Sequence, residues 1–185
     1  MRRQVNNIIS VLYSFIRLCV MKLFHGRKLQ VQLVERFSPN VVLEMEKGAK
    51  VTLGKCVRAH SGCKIKTRKG AVLEIGDDVH LNYNCIIVCR KHISIGEGTE
   101  FGPSVYIYDH DHDYKSGLKK QLFKEGDIRI GKNCWIGANT IILRGVNIAD
   151  DCIIAAGSII TKDIPKNSIV VQRRETEIRT WEHAK

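Results

Sequence analysis

Residues 108–114 read YDHDHDY, two histidines and three aspartates within seven positions. An imidazole among carboxylates has three common uses. It ligates a transition metal, it acts as a general base whose far nitrogen a carboxylate fixes, or it sits solvated at a loop tip. For His110 and His112 the local residue types leave all three open. Asp109, Asp111 and Asp113 are equally placed as orienting partners. His60, His80 and His92 supply further imidazoles. None of the seven cysteines forms a C-x-x-C pair, and their spacing fits no zinc ribbon or finger. No Ser or Cys lies in a recognisable nucleophile motif, so no covalent enzyme intermediate is implied.

The elements that must position these side chains are legible in the flanking periodicity. From residue 130 the chain divides into sixes: IGKNCW, IGANTI, ILRGVN, IADDCI, IAAGSI, ITKDIP. Isoleucine opens each one, at 130, 136, 142, 148, 154 and 160. The fifth place is mostly small, and Gly, Asn or Asp recurs between. A period of six is neither helix nor simple strand; it is the hexapeptide repeat of a parallel β-helix. Three units make one 18-residue triangular coil. Ile136 should then stack on Ile154 and Ile142 on Ile160, one strand spacing of about 4.8 Å apart. With insertions, the unit recurs earlier at Ile95, Phe101 and Ile107, at Ile75, Leu81 and Ile87, and at Leu53, Ala59 and Ile65, giving about five coils. Cys63, Cys85, Cys134 and Cys152 fall on the small fifth place and read as interior residues of a reduced, cytoplasmic protein. Residues 113–127, DYKSGLKKQLFKEGD, have no six-fold pattern. A loop of this length in a compact repeat is usually functional. On this reading His112 closes the unit that begins at Ile107.

Charge and hydropathy set the N-terminus apart. Residues 1–30 hold six bases (Arg2, Arg3, Arg17, Lys22, Arg27, Lys28) and no acid, within a total net charge of +11. That balance suits an anionic ligand or surface but is not the basic stripe of a nucleic-acid binder. Residues 2–24 carry a helical stripe: Val5, Ile8, Ile9, Leu12, Phe15, Ile16, Cys19 and Leu23 on one face, Arg3, Asn7, Ser10, Ser14 and Arg17 on the other. Arg17 and Lys22 interrupt it as a membrane span, and no small-residue cleavage site marks a secretory signal. Two placements remain, against the prism or its neighbours, or in an anionic membrane interface. Packing is preferred. The chain thus divides into an amphipathic helix (1–30), a β-helix domain (31–171) with an excursion at 109–127, and a tail (172–185).

From about residue 43 to 171 the sequence resembles the hexapeptide-repeat, left-handed β-helix acyltransferases. The galactoside, maltose and polysaccharide O-acetyltransferase branch is nearest, most specifically in WIGANTIILRGVNIADDCIIAAGSIITKDIP, residues 135–165. The resemblance implies left-handed coils, a homotrimer with sites in the clefts between prisms, and acetyl-coenzyme A as co-substrate without a required metal. Counting from Gly102 and Pro103 of GPSV, it designates His112 rather than His110 as the base. NYN matches at Asn82–Asn84, with Asn82 paired to the histidine and Asn84 and His110 on the acceptor side. The N–H of Ala138, after WIG, would meet the thioester oxygen. Coenzyme A contacts would come from Trp135, Ala138, Ala156, Thr161 and Lys162. The family's usual C-terminal hairpin is replaced by NSIVVQRRETEIRTWEHAK, so for the nucleotide end Arg173 and Arg174 are candidates only. The implied reaction is O-acetylation of a sugar, such as a surface polysaccharide or its precursor, with an amino-sugar N-acetyltransferase as the alternative. A cytoplasmic location follows, peripheral at the inner membrane face if the helix binds lipid. A carbonic-anhydrase-like zinc β-helix and a non-catalytic scaffold are the readings from other classes. The histidine spacing argues against the zinc cage, and the intact His112 and Asn82 against the scaffold.

Overall fold

In the computed structural model, which describes residues 2–32, 34–116 and 122–173, three parallel sheets of six, seven and six strands enclose one core. Successive strands enter successive sheets, so the chain winds as a β-helix. Each interior column is a ladder of apolar residues one turn apart. On one face Phe37, Ala59, Leu81, Phe101, Ile136 and Ile154 are in register. On the next, Leu43, Ile65, Ile87, Ile107, Ile142 and Ile160 follow suit. The expected stacking of Ile136 on Ile154 and Ile142 on Ile160 is observed. These side chains are essentially removed from solvent, each worth about 1.5–3 kcal/mol on full burial. Corners are turned by residues at positive φ, among them Asn133, Asn139 and Asp151 (φ 54°, 56° and 58°), types whose short polar side chains tolerate that region.

The solenoid has six full turns rather than five. The additional one is the first, with Val31, Phe37 and Leu43 spaced by six like the rest. A second difference lies in the excursion. Its residues carry no six-fold pattern, yet Phe123–Glu125 forms a strand that pairs antiparallel with His110–His112. The chain therefore leaves the coil at Asp109, and His112 stands on a hairpin rather than closing a coil.

The N-terminal helix, Arg2–His25, packs on the first turn through its small and polar edge. Ser10, Ser14 and Leu18 are buried, and Met21 packs against the core. The Ser14 hydroxyl donates to Ser10 O at 2.6 Å and accepts the Phe37 N–H at 2.8 Å. The Arg17 guanidinium donates to the carbonyls of Val41 and Leu43. The apolar stripe faces outward instead: Ile8, Ile9, Leu12, Phe15, Ile16, Val20, Leu23 and Phe24 are 47–84% exposed. The faces are those expected from the sequence, but the prism takes the polar one.

Candidate active site

One corner of the prism recurs through four consecutive turns and opens as a cavity of about 580 Å³. Asn82 follows the strand His80–Leu81, Gly102 and Pro103 follow Glu100–Phe101, Gly137 and Ala138 follow Trp135–Ile136, and Ala155 and Ala156 follow Ile153–Ile154. All of these, with Trp135 and Ile153, line the cavity. Two glycines let the corners approach so closely. A Cβ at 102 would lie 2.6 Å from Ala138 N, and one at 137 would lie 2.5 Å from Ala156 N. The Gly137 N–H donates to Ile154 O and the Asn139 N–H to Pro103 O. Among the described residues no backbone acceptor takes the Ala138 N–H that lies between them.

Beneath this corner runs a column of small donors. Cys63 Sγ donates to Asn82 O at 2.9 Å, Cys85 Sγ to Gly102 O at 3.2 Å, and Ser158 Oγ to Ala155 O at 2.6 Å. At Cys63, Cys85 and Ser158 the fifth place of the repeat is thus small and also able to donate, which satisfies carbonyls that form the cavity's wall. The Cys63 thiol serves that role in protonated form. Contact between the Cys63 and Cys85 side chains, with burial, pushes the Cys63 thiol far up.

The histidine hairpin lies at another corner. His110 and His112 point to the same side of their strand, and both meet the Phe123 ring, with centroids at 5.4 and 4.7 Å. Arg90 stacks on that ring at 3.7 Å. Of the three aspartates, Asp109 orients a histidine: its Oδ1 is 3.0 Å from His110 Nδ1. Asp109 is fully buried and also accepts the N–H groups of Arg90 and Lys91. Burial works to raise its pKa, but the bonds from His110, Lys91 and Arg90 outweigh it and hold the carboxyl below its ordinary value. Asp111 pairs with Arg144 at 2.6 Å and Asp113 with Lys124 at 3.4 Å. His112 is exposed.

Residues 127–162 match the family described as the hexapeptide repeat of succinyl-transferase. The chain is 34% identical over 102 residues to a galactoside O-acetyltransferase of Lactococcus lactis, spanning 50% of this chain and 49% of that protein. It is 38% identical over 78 residues to the galactoside O-acetyltransferase of Escherichia coli, spanning 42% and 38%. The chain therefore spans about half or less of the curated relatives it matches. A maltose O-acetyltransferase from Clostridium difficile superposes with a TM-score of 0.50 at 28% identity, over 70% of this chain and 64% of that one. Residues 127–162 thus carry the repeat that defines the hexapeptide family. An N-acyltransferase from Bacillus cereus, solved with dTDP-4-amino-4,6-dideoxyglucose and coenzyme A, shares the fold of this hexapeptide-repeat protein over 89% of both chains, with a TM-score of 0.67 at 16% identity.

Of the residues singled out in this hexapeptide-repeat sequence, the structure gathers Asn82, Trp135, Ala138 and Ala156 around one cavity. His112 and His110 are not among its lining residues. Thr161 and Lys162 are exposed in the corner after Ile159–Ile160, outside the lining. Asn84 turns its corner at φ 60°, with its Oδ1 over Gly62 of the preceding turn. Arg173 is exposed, and Arg174 lies outside the described residues. Phe123 and Arg90 were missed. The periodic signal stops at the excursion, and a cross-strand partner of HDH leaves no mark in a six-residue repeat. Among the described residues no group of three metal-ligating side chains gathers.

Proposed function

We propose that this protein is an acetyltransferase that moves an acetyl group from the thioester of acetyl-coenzyme A to a sugar hydroxyl. The cavity carries the reading: an apolar wall of Trp135, Ile153 and Pro103 with a few polar groups, Asn82 and the Ala138 N–H, set along it. Such a slot fits a pantetheine arm, and its relatives named galactoside and maltose O-acetyltransferases support the acyl chemistry. The exposed ring of His112 accepts the hydroxyl proton as the oxygen attacks the thioester carbonyl. The Ala138 N–H stabilises the oxyanion, a contribution of about 3 kcal/mol in comparable sites. As the tetrahedral centre collapses, the C–S bond breaks and the imidazolium returns its proton to the departing thiolate, leaving an ester and a free thiol. Asn82 holds the acceptor in line.

Because His112 and the cavity stand at different corners, the assignment requires a second copy to bring the histidine of one prism to the cavity of its neighbour. A homotrimer is the arrangement that the resemblance implies. No metal enters the chemistry, so acetyl transfer should survive chelation; activity abolished by a chelator and restored by zinc would reinstate the zinc β-helix. The deciding experiment is an acceptor screen with radiolabelled acetyl-coenzyme A. No labelled sugar and no thiol release with any acceptor would sink the proposal. Amino sugars belong in the screen, since the fold is shared with an N-acyltransferase and the same base serves an amine.

A further inference from the structure

We propose that the outward face of the N-terminal helix lies in the surface of a lipid bilayer with anionic headgroups, setting that end of the prism against the membrane. A helix on a water-facing protein surface normally turns its apolar stripe inward. Here it is reversed. At about 100° per residue, Leu12, Phe15, Ile16, Val20, Leu23 and Phe24 fall within one half of the circumference. All are exposed, Leu23 and Phe24 by 84% and 83%. Ser10, Ser14 and Leu18 occupy the half held by the prism. An exposed apolar face of this extent marks an interaction site.

Charge selects the occupant. The first 30 residues carry six bases and no acid. Arg17 is committed to the prism backbone, whereas Lys22, Arg27 and Lys28 are exposed beside the apolar stripe. Lys22 and Arg27 also line a cavity of about 530 Å³ between the helix end and the first turns, together with Leu29, Val31 and Thr52. Apolar side chains flanked by cations, with a basic recess alongside, suit acyl chains below and phosphate headgroups above. A second copy would bring like charges together. The segment Ile8–Lys28 is long and apolar enough to cross a membrane by length and composition. The Ser14 and Arg17 bonds to Phe37, Val41 and Leu43 instead tie it to the first turn of the prism.

The test floats the full chain on a density gradient with vesicles of phosphatidylcholine, alone or with added phosphatidylserine. The protein should rise with the mixed vesicles and stay down with the neutral ones, and high salt should release it. Ile16→Ser with Leu23→Ser, and separately Lys22→Glu with Arg27→Glu, should each lower the bound fraction by about tenfold or more. Unchanged circular dichroism and melting would show that the solenoid is intact. If a variant fails to fold, the lipid and salt dependence of the unaltered chain still decides. The proposal is overturned if the chain ignores both vesicle types or binds both alike regardless of salt. Resistance to alkaline carbonate would indicate a spanning helix and overturn it too. So would a fall in solution mass of the Ile16/Leu23 variant from a parent that binds no vesicle, since the face would then be a contact between copies.

Discussion

At the scale of single residues, the two histidines of HDH are separated by what holds them. His110 is fixed by a buried carboxylate; His112 stands exposed against Phe123. Replacing His112 with Ala should lower turnover by roughly 10²- to 10⁴-fold with little change in coenzyme A affinity, because a base acts in the transition state. His110→Ala should cost far less turnover. Steady-state kinetics on both variants checks the assignment, and the reverse ranking would move the base to the Asp109–His110 pair. Asp109 itself belongs to stability. Asp109→Ala leaves the Arg90 and Lys91 N–H groups and the His110 ring without their acceptor, which should cost about 1–3 kcal/mol. Its folded pKa is depressed, so the stabilisation is present above the unfolded value of about 3.9 and fades as pH falls through the folded one. Melting curves of wild type and variant should differ at neutral pH and converge on acidification. A gap that persisted in acid would rule out the carboxylate as the cause.

At the scale of elements, much was legible because each six-residue unit writes its own geometry. An isoleucine every sixth place fixed the columns, and the small fifth place marked the corners. The first turn was hidden because it lacks the Ile-Gly opening: Val31 sits between Gln30 and Gln32, Phe37 between Arg36 and Ser38, and Leu43 between Val42 and Glu44. The hairpin was hidden for a different reason. His110–His112 and Phe123–Glu125 are joined across chain that carries no alternation, so their pairing is a tertiary fact. The helix is the instructive case. Its amphipathicity was plain, but a stripe does not say whether protein or lipid takes it. What docks it is a serine hydroxyl and a guanidinium aimed at backbone. Ser14→Ala should therefore release the helix more readily than any outward apolar substitution, at a cost of about 1–3 kcal/mol for the stranded Phe37 N–H. Limited proteolysis would read this as faster cleavage near residue 25. Equal protection of Ser14→Ala and wild type would show that the hydroxyl is dispensable.

At the scale of the whole molecule, the cavity and the histidine hairpin occupy separate corners of one prism, so activity should depend on assembly. Solution mass should correspond to three chains at micromolar concentration, and specific activity should fall on dilution as mass falls. Full activity from a monomer would require His112 and the cavity to meet within one chain. The geometry has one more consequence. The helix rests on the first turn, and the cavity opens from the third, at Asn82, to the sixth, at Ala156. With successive turns about 4.8 Å apart, the near edge of the cavity stands about 10 Å above the helix-bearing end. The solenoid is thus a ruler graduated in turns. Inserting or deleting one would raise or lower the reactive opening by a single graduation while leaving the chemistry of either end alone. Reach and reactivity are set by different stretches of the same repeat.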